Sequence, residues 1–188
     1  MVLVGNYWPR IISLMTHSME GKPEEFKLTV ELIPTTSWSD SLRNKAKLSE
    51  WKKIRKKYLS DYGNKCSICG MEGKLNLHEI WEFNESNHIQ KLIGFTVLCN
   101  MCHFVKHIGN AWRLSKEDKL DYEKVIEHFM KVNICSREAF LEHRGEAYSK
   151  WKERSTYMWQ IDFGEYKNIL DEKKLGAKRK TIVMFRRK

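Results

Sequence analysis

The sequence predicts an α+β fold built around a β-β-α unit, and three observations predict it. Two Cys-x-x-Cys pairs, Cys66 with Cys69 and Cys99 with Cys102, bracket an insert the size of a hairpin. That insert holds two β-prone runs, residues 74–83 and 89–98, with a turn expected over 84–88. A helical stretch over 100–108 follows, carries the second pair at its start and is expected to stop at Gly109.

The other elements are set by pattern. Phe26, Leu28, Val30 and Leu32 alternate with polar residues up to Pro34, which predicts a strand. From Ser49, a candidate N-cap, Trp51, Ile54 and Tyr58 form the stripe of a helix that Gly63 would end. The lysines of this helix fall on its other face, so it can pack and present charge together. The turn-rich stretch from Cys66 to Gly70 suits a knuckle. Ser115 and Asp118 have capping-box spacing, with Asp replacing the usual Glu, before a helix carrying Leu120, Val125, Ile126 and Phe129. A further helix is expected from Ser136, with Phe140, Ala147 and Trp151. Residues 159–163 read as a short strand, followed by a helical turn. Trp112, Trp151 and Trp159 fall on or beside apolar faces and read as core anchors rather than base-stacking platforms. The expected organisation is an N-terminal extension (1–25), a core (26–110), a helical region (111–172) and a basic tail (173–188).

Composition bounds the function classes. A hydrophobic share of 41%, with 12% aromatic, is enough for a packed core and argues against wholesale disorder. Lys+Arg 34 against Asp+Glu 24 gives a net charge of +10 and favours a polyanionic partner, nucleic acid first. The basic residues cluster. Arg43, Lys45, Lys47, Lys52, Lys53, Arg55, Lys56 and Lys57 precede the first cysteine pair, and Lys173, Lys174, Lys178, Arg179, Lys180, Arg186, Arg187 and Lys188 end the chain. No run is long and apolar enough for a membrane span. Asn6, Pro9 and Arg10 break any signal-peptide core, so the expectation is a cytoplasmic protein without a membrane partner. In that reducing compartment Cys-x-x-Cys pairs read as metal ligands rather than disulfides, with Cys135 left as a small buried hydrophobe.

Cys66, Cys69, Cys99 and Cys102 suffice for one closed tetrahedral zinc site, which is structural because no position is left for water or substrate. His103 and His107 are four residues apart on the predicted helix, so their imidazoles share a face and can grip one divalent ion. Lys106 beside them offers a phosphate contact. His78 and Glu79 lie in the strand that the hairpin folds back toward this helix. Adjacent strand residues point to opposite faces, so one of them is better placed than the other unless twist or a bulge intervenes.

These residues, in the order Cys66-x-x-Cys69, His78-Glu79-Ile80-Trp81, Leu98-Cys99-x-x-Cys102-His103 and Lys106-His107, resemble HNH endonucleases of the ββα-metal class with paired zinc knuckles. The lead-in Leu28-Thr29-Val30-Glu31-Leu32-Ile33-Pro34, with Trp38 and Trp51, resembles that of a bacterial and phage subgroup, as does Gln90-Lys91-Leu92-Ile93-Gly94. The resemblance covers residues 26–109 and implies phosphodiester hydrolysis in nucleic acid, DNA foremost. It also implies a structural Zn²⁺ and a catalytic Mg²⁺ or another divalent ion held by His78, His103 and His107. His78, Glu79 and His103 are the implied catalytic residues. Matching Ile80 puts His78 in the ligand slot and Glu79 in the base slot. The other register makes His78 the base and leaves Leu77, which cannot ligate, in the ligand slot. Gly94 stands where the family's middle Asn usually lies. Asn84 and Asn87 are nearby in the turn, and His88 reads as solvated. Lys52, Lys53, Arg55, Lys56 and Lys106 are the expected backbone contacts. A homodimer or an accessory protein partner is a further expectation if both strands are cut. The alternative is a catalytically silent zinc-knuckle module that binds nucleic acid or joins a complex.

Overall fold

A computed structural model describes residues 25–175. The expected extension up to residue 24 and the basic tail from residue 176 lie outside the described residues. The fold is mixed α+β, as the sequence predicts. Two short helices open it, α1 (Leu42–Lys45) and α2 (Leu48–Asp61). A hairpin of β1 (Leu75–Asn84) and β2 (Ile89–Cys99) follows. Four helices come next: α3 (Asn100–Lys106), α4 (Ile108–Lys116), α5 (Tyr122–Asn133) and α6 (Arg137–Arg154). The short strand β3 (Gln160–Asp162) then pairs parallel to β2, closing a three-stranded sheet of order β1-β2-β3. A 3-10 helix, Gly164–Ile169, completes the chain's return to α1 and α2.

The hairpin separates two apolar clusters. One gathers Leu28, Val30, Leu75, Val97, Val105, Ile108, Phe129 and Phe140 between the sheet and the helices α3 to α6. The other packs Leu42, Trp51, Leu92, Phe95 and Phe163 between the sheet, α1, α2 and the 3-10 helix. The stripe predicted for α2 fits this second cluster, with Trp51 buried and Ile54 and Tyr58 packed against it. A bulge keeps β2 in register with this packing. Ile80 faces Gly94 and Trp81 faces Leu92, so Ile93 is the extra residue and stands exposed. The buried positions of β2 therefore switch from even (90, 92) to odd (95, 97) at the bulge. Without that switch Leu92 and Phe95 would point to opposite faces. Gly94 is the residue at this kink, where glycine is the usual choice.

Several expectations are corrected. The segment 26–34 alternates as predicted, with Phe26, Leu28 and Val30 buried, but it joins no sheet among the described residues. Its polar backbone groups are met by side chains and by a helix end instead. Leu28 N–H donates to Asn133 Oδ1 (3.0 Å), and Asn133 Nδ2 donates to Leu28 O (2.9 Å). Val30 N–H donates to His143 Nε2 (2.9 Å), and Glu31 N–H to Lys106 O (2.9 Å). Alternation reports which residues are buried; it cannot say what pairs with the backbone between them.

Helix α2 starts at Leu48, with Lys47 rather than Ser49 at its cap. Gly109 ends nothing. The break falls at His107 (φ −104°, ψ 51°), and Gly109 lies inside α4, where a Cβ would meet the Tyr148 hydroxyl at 3.5 Å. The capping box at Ser115 is also overturned. Ser115 is within α4, Asp118 takes φ 53°, and Asp121 caps α5 by accepting from Glu123 N–H and Lys124 N–H. Ser136 caps α6 as expected. Trp159 is buried and Trp151 donates Nε1–H to Ile33 O, but Trp112 is half-exposed, edge-on to Tyr122 and beneath Lys116. Since α4 (Ile108–Lys116) runs through residue 110, the expected boundary there falls inside a helix. Among the described residues no helix is long and apolar enough to cross a membrane.

Candidate metal centres

The two Cys-x-x-Cys pairs come together as expected. The first lies in a tight turn in which Cys66 N–H donates to Met71 O and Gly70 N–H to Cys66 O, both at 2.9 Å. Gly70 sits at φ +73°, a conformation that glycine adopts without strain. Ser67 N–H reaches across to Val97 O (2.9 Å) and pins this turn to β2. Cys99 ends β2 and caps α3, its sulfur accepting from Cys102 N–H. The four sulfurs lie within 4.8 Å of one another, and Cys69 Sγ is 3.6 Å from Cys99 Sγ. A tetrahedral zinc with Zn–S bonds of about 2.3 Å spaces its sulfurs by about 3.8 Å, so the spacing fits such an ion.

The proton chemistry of the sulfurs agrees. Hydrogen bonding from Cys102 holds the Cys99 thiol down to about 3, while the same bond pushes Cys102 up. Burial lifts Cys69 to about 11. Sulfurs this close cannot all be thiolates unless a cation sits among them, and a soft divalent ion is the ion that this donor set suits. His128 Nε2, from α5, lies 3.1 Å from Cys102 Sγ as a partner outside the four ligands. Sequence reading gave His128 no role.

Helix α3 leads from this cluster to a second one. His103 lies on α3 and His107 at the break before α4, while His78 comes from β1. The three offer ligand atoms within 4.8 Å of one another. His78 is buried and its ring centroid is 5.6 Å from that of His103 and 4.9 Å from that of His107. Burial, then the charge of His78 and of Arg43, depresses His103 to about 4. Burial, then His78 and His103, depresses His107 to about 3. Both rings are therefore neutral at physiological pH and keep a lone pair for a metal ion.

Glu79 faces elsewhere. Its Oε2 accepts from Leu42 N–H (3.1 Å) and its Oε1 from Arg43 N–H (2.9 Å), so the carboxylate anchors the start of α1. Burial raises its pKa against the opposing pull of these two bonds. The strand alternation thus stands, with His78 toward the histidines and Glu79 toward α1.

The carboxylate that does reach the histidines is Glu31, to which sequence reading gave no part in the site. Its Oε2 lies 2.8 Å from His78 Nε2, and its Oε1 pairs with Lys106. Burial alone would raise its pKa, but the His78 hydrogen bond and the Lys106 charge outweigh that and hold it at about 2. A carboxylate 47 residues before its histidine leaves no spacing signal.

Lys106, expected to touch phosphate, is instead buried, with Nζ donating to Thr29 Oγ1 (2.9 Å) and paired with Glu31. Lys52, Lys53, Arg55 and Lys56 are exposed on α2 as expected. Lys53 bonds Glu50, and Arg55 donates to Leu75 O (2.9 Å). His88, expected to be solvated, stacks on Tyr157 with centroids 4.3 Å apart.

No protein-family model, curated protein or solved structure matches this chain. What the chain can do is therefore read from its own donors and their geometry.

Proposed function

We propose that the chain is a metal-dependent endonuclease of the HNH type, hydrolysing phosphodiester bonds in nucleic acid, DNA foremost. The observation that carries the reading is the convergence of His78, His103 and His107 on a hairpin and helix braced by four clustered cysteines. A silent knuckle needs none of these histidines. The cysteines would hold a structural zinc; His103 and His107 would grip a catalytic divalent ion. That ion, when bound, supplies charge stabilisation on the phosphate and on the departing oxygen.

Of the two registers left open by the sequence, the geometry supports His78 as the base. Glu79 directs both carboxylate oxygens at the start of α1, whereas His78 lies among the histidines. With Nε2 held 2.8 Å from the Glu31 carboxylate, the other ring nitrogen of His78, Nδ1, would accept a proton from water. The water oxygen attacks phosphorus in line as the bond to the sugar oxygen breaks. The exposed cations of α2 would hold the backbone without reading sequence.

The test is cleavage of plasmid, linear and single-stranded DNA by zinc-loaded protein with Mg²⁺, Mn²⁺ or Ni²⁺. Wild type should cut, and His78→Ala and His103→Ala should lose at least about 100-fold of the rate while keeping their zinc. Intact DNA under all three ions would sink the proposal. Salt-dependent binding without cutting would select the silent module.

A further inference from the structure

Glu31 comes from the extended segment before α1, outside the hairpin and helix that carry the histidines. Its two oxygens are divided between two partners: Oε1 pairs with Lys106 and takes a 3.4 Å contact from Thr29 Oγ1, while Oε2 meets His78 Nε2 at 2.8 Å. Its backbone N–H also donates to the carbonyl of Lys106. Glu31 and Lys106 thus grip each other at two points, and Lys106 lies on α3 between His103 and His107. The grip fixes where the carboxylate stands relative to the helical histidines. The second oxygen then reaches the strand histidine.

We infer that Glu31 is a positioning residue that fixes His78 as its Nε2–H tautomer and holds the ring with Nδ1 available to the three-histidine space. The inference deepens the proposed function and rests on it for its catalytic consequence. An ionised carboxylate has acceptors only, so the hydrogen of this bond must sit on Nε2. In a neutral imidazole the lone pair then belongs to Nδ1. A carboxylate behind a histidine is a recurrent way to fix ring orientation and raise basicity, and removing it typically costs about 10–100-fold in metal affinity or activity. A simple ion pair with Lys106 would need neither the second oxygen nor its direction. The 26–34 segment is then part of the working site as well as of the core.

The test uses full-length, zinc-loaded protein carrying Glu31→Ala, Glu31→Gln or Lys106→Met, with zinc content and circular dichroism compared with wild type. Three readouts apply: the ring ¹⁵N shifts of His78, Co²⁺ affinity at the histidines by visible absorption, and kcat separately from KM. Wild type should show the Nε2–H tautomer. Glu31→Ala should lose it and drop Co²⁺ affinity and kcat by about 10–100-fold with KM little changed. Glu31→Gln keeps an acceptor oxygen and should recover part of the loss; it decides the matter if the alanine variant does not fold. Lys106→Met removes the side-chain half of the grip but leaves the bond from Glu31 N–H to the residue-106 carbonyl and the His78 bond, so it should keep the tautomer. An unchanged tautomer and Co²⁺ affinity in both Glu31 variants would overturn the inference, as would a Lys106→Met variant as impaired as Glu31→Ala. If wild type cuts no DNA while tautomer and Co²⁺ affinity still respond to Glu31, the nuclease reading falls and the positioning role stands.

Discussion

The cysteine cluster and the histidine cluster meet along α3, yet they are assembled by different means. The cysteines come as two local pairs, each shaped by its own turn: Gly70 N–H to Cys66 O in the first, Cys102 N–H to Cys99 Sγ in the second. Pairing of β1 with β2 then has only to bring two preformed halves together, and Ser67 N–H to Val97 O fixes the fit. The histidines have no such local order. His78 arrives from a strand, His103 from α3, His107 from the break that ends it, and Glu31 from a segment held by α3, α5 and α6. Four soft donors close a coordination shell, whereas His103 and His107, the pair proposed to grip the second ion, leave room for water or substrate. The closed set is suited to holding the fold and the open set to chemistry.

The difference predicts unequal damage. Structural zinc binding contributes roughly 10–16 kcal/mol at neutral pH, as much as or more than the roughly 5–15 kcal/mol net stability of a domain. Cys102→Ser, or zinc removal by a strong chelator, should therefore unfold the region around α3 and abolish both clusters. Circular dichroism and zinc analysis would read this. A chelated protein that kept its helical signal and melting temperature would break the comparison at its root, because the cysteines would then not be structural.

Acid should separate the clusters more gently. Folded His103 is held near 4 and His107 near 3, against an ordinary value of 6.5. Above 6.5 both states are neutral at these rings and stability is unaffected. As pH falls below 6.5 the unfolded chain takes up protons that the folded one refuses, so stability declines. Glu31 acts at lower pH: its contribution is present above 4.5 and is lost as pH falls toward its folded value of about 2. Denaturant midpoints from pH 7 to pH 5 should fall in the zinc-loaded protein without a second metal. A His103→Ala, His107→Ala double variant should give a flatter profile, and parallel profiles would remove the buried-histidine argument.

How much could be read in advance follows the same division. Both halves of the cysteine site, the hairpin and α6 with its Ser136 cap follow from spacing and period, because neighbours in sequence decide them. The i, i+4 histidines are legible as a pair, but the break at His107 is not: the only stop signal nearby is Gly109, which lies inside α4 with Leu32 and Tyr148 beside it. Lys106 reads as a phosphate contact because nothing nearby in the sequence marks Glu31 as its partner. The resemblance, matched at Ile80, puts Glu79 in the base slot of one register, and strand alternation sends it to α1 instead. Resemblance named the residues, while tertiary contacts assign their surroundings.

The smallest effect sharpens the comparison most. Asn133 stands in for a strand partner, with Oδ1 accepting from Leu28 N–H and Nδ2 donating to Leu28 O. Asn133→Ala leaves the fully buried Leu28 with an unmet N–H and an unmet C=O, a cost of about 1–3 kcal/mol. In a chain of this size that lowers the melting temperature by roughly 2–12 °C. Val30 to His143 and Glu31 to Lys106 still hold the segment, so it should loosen rather than detach. Among the described residues the cysteine pairs make no hydrogen bond to this segment, so zinc content should stay at the wild-type level. The histidines depend on it through Glu31, so Co²⁺ affinity there should fall by a few fold, less than in Glu31→Ala. Equal loss of zinc and of histidine-bound Co²⁺ would mean that the two clusters are one cooperative unit, whatever their difference in construction.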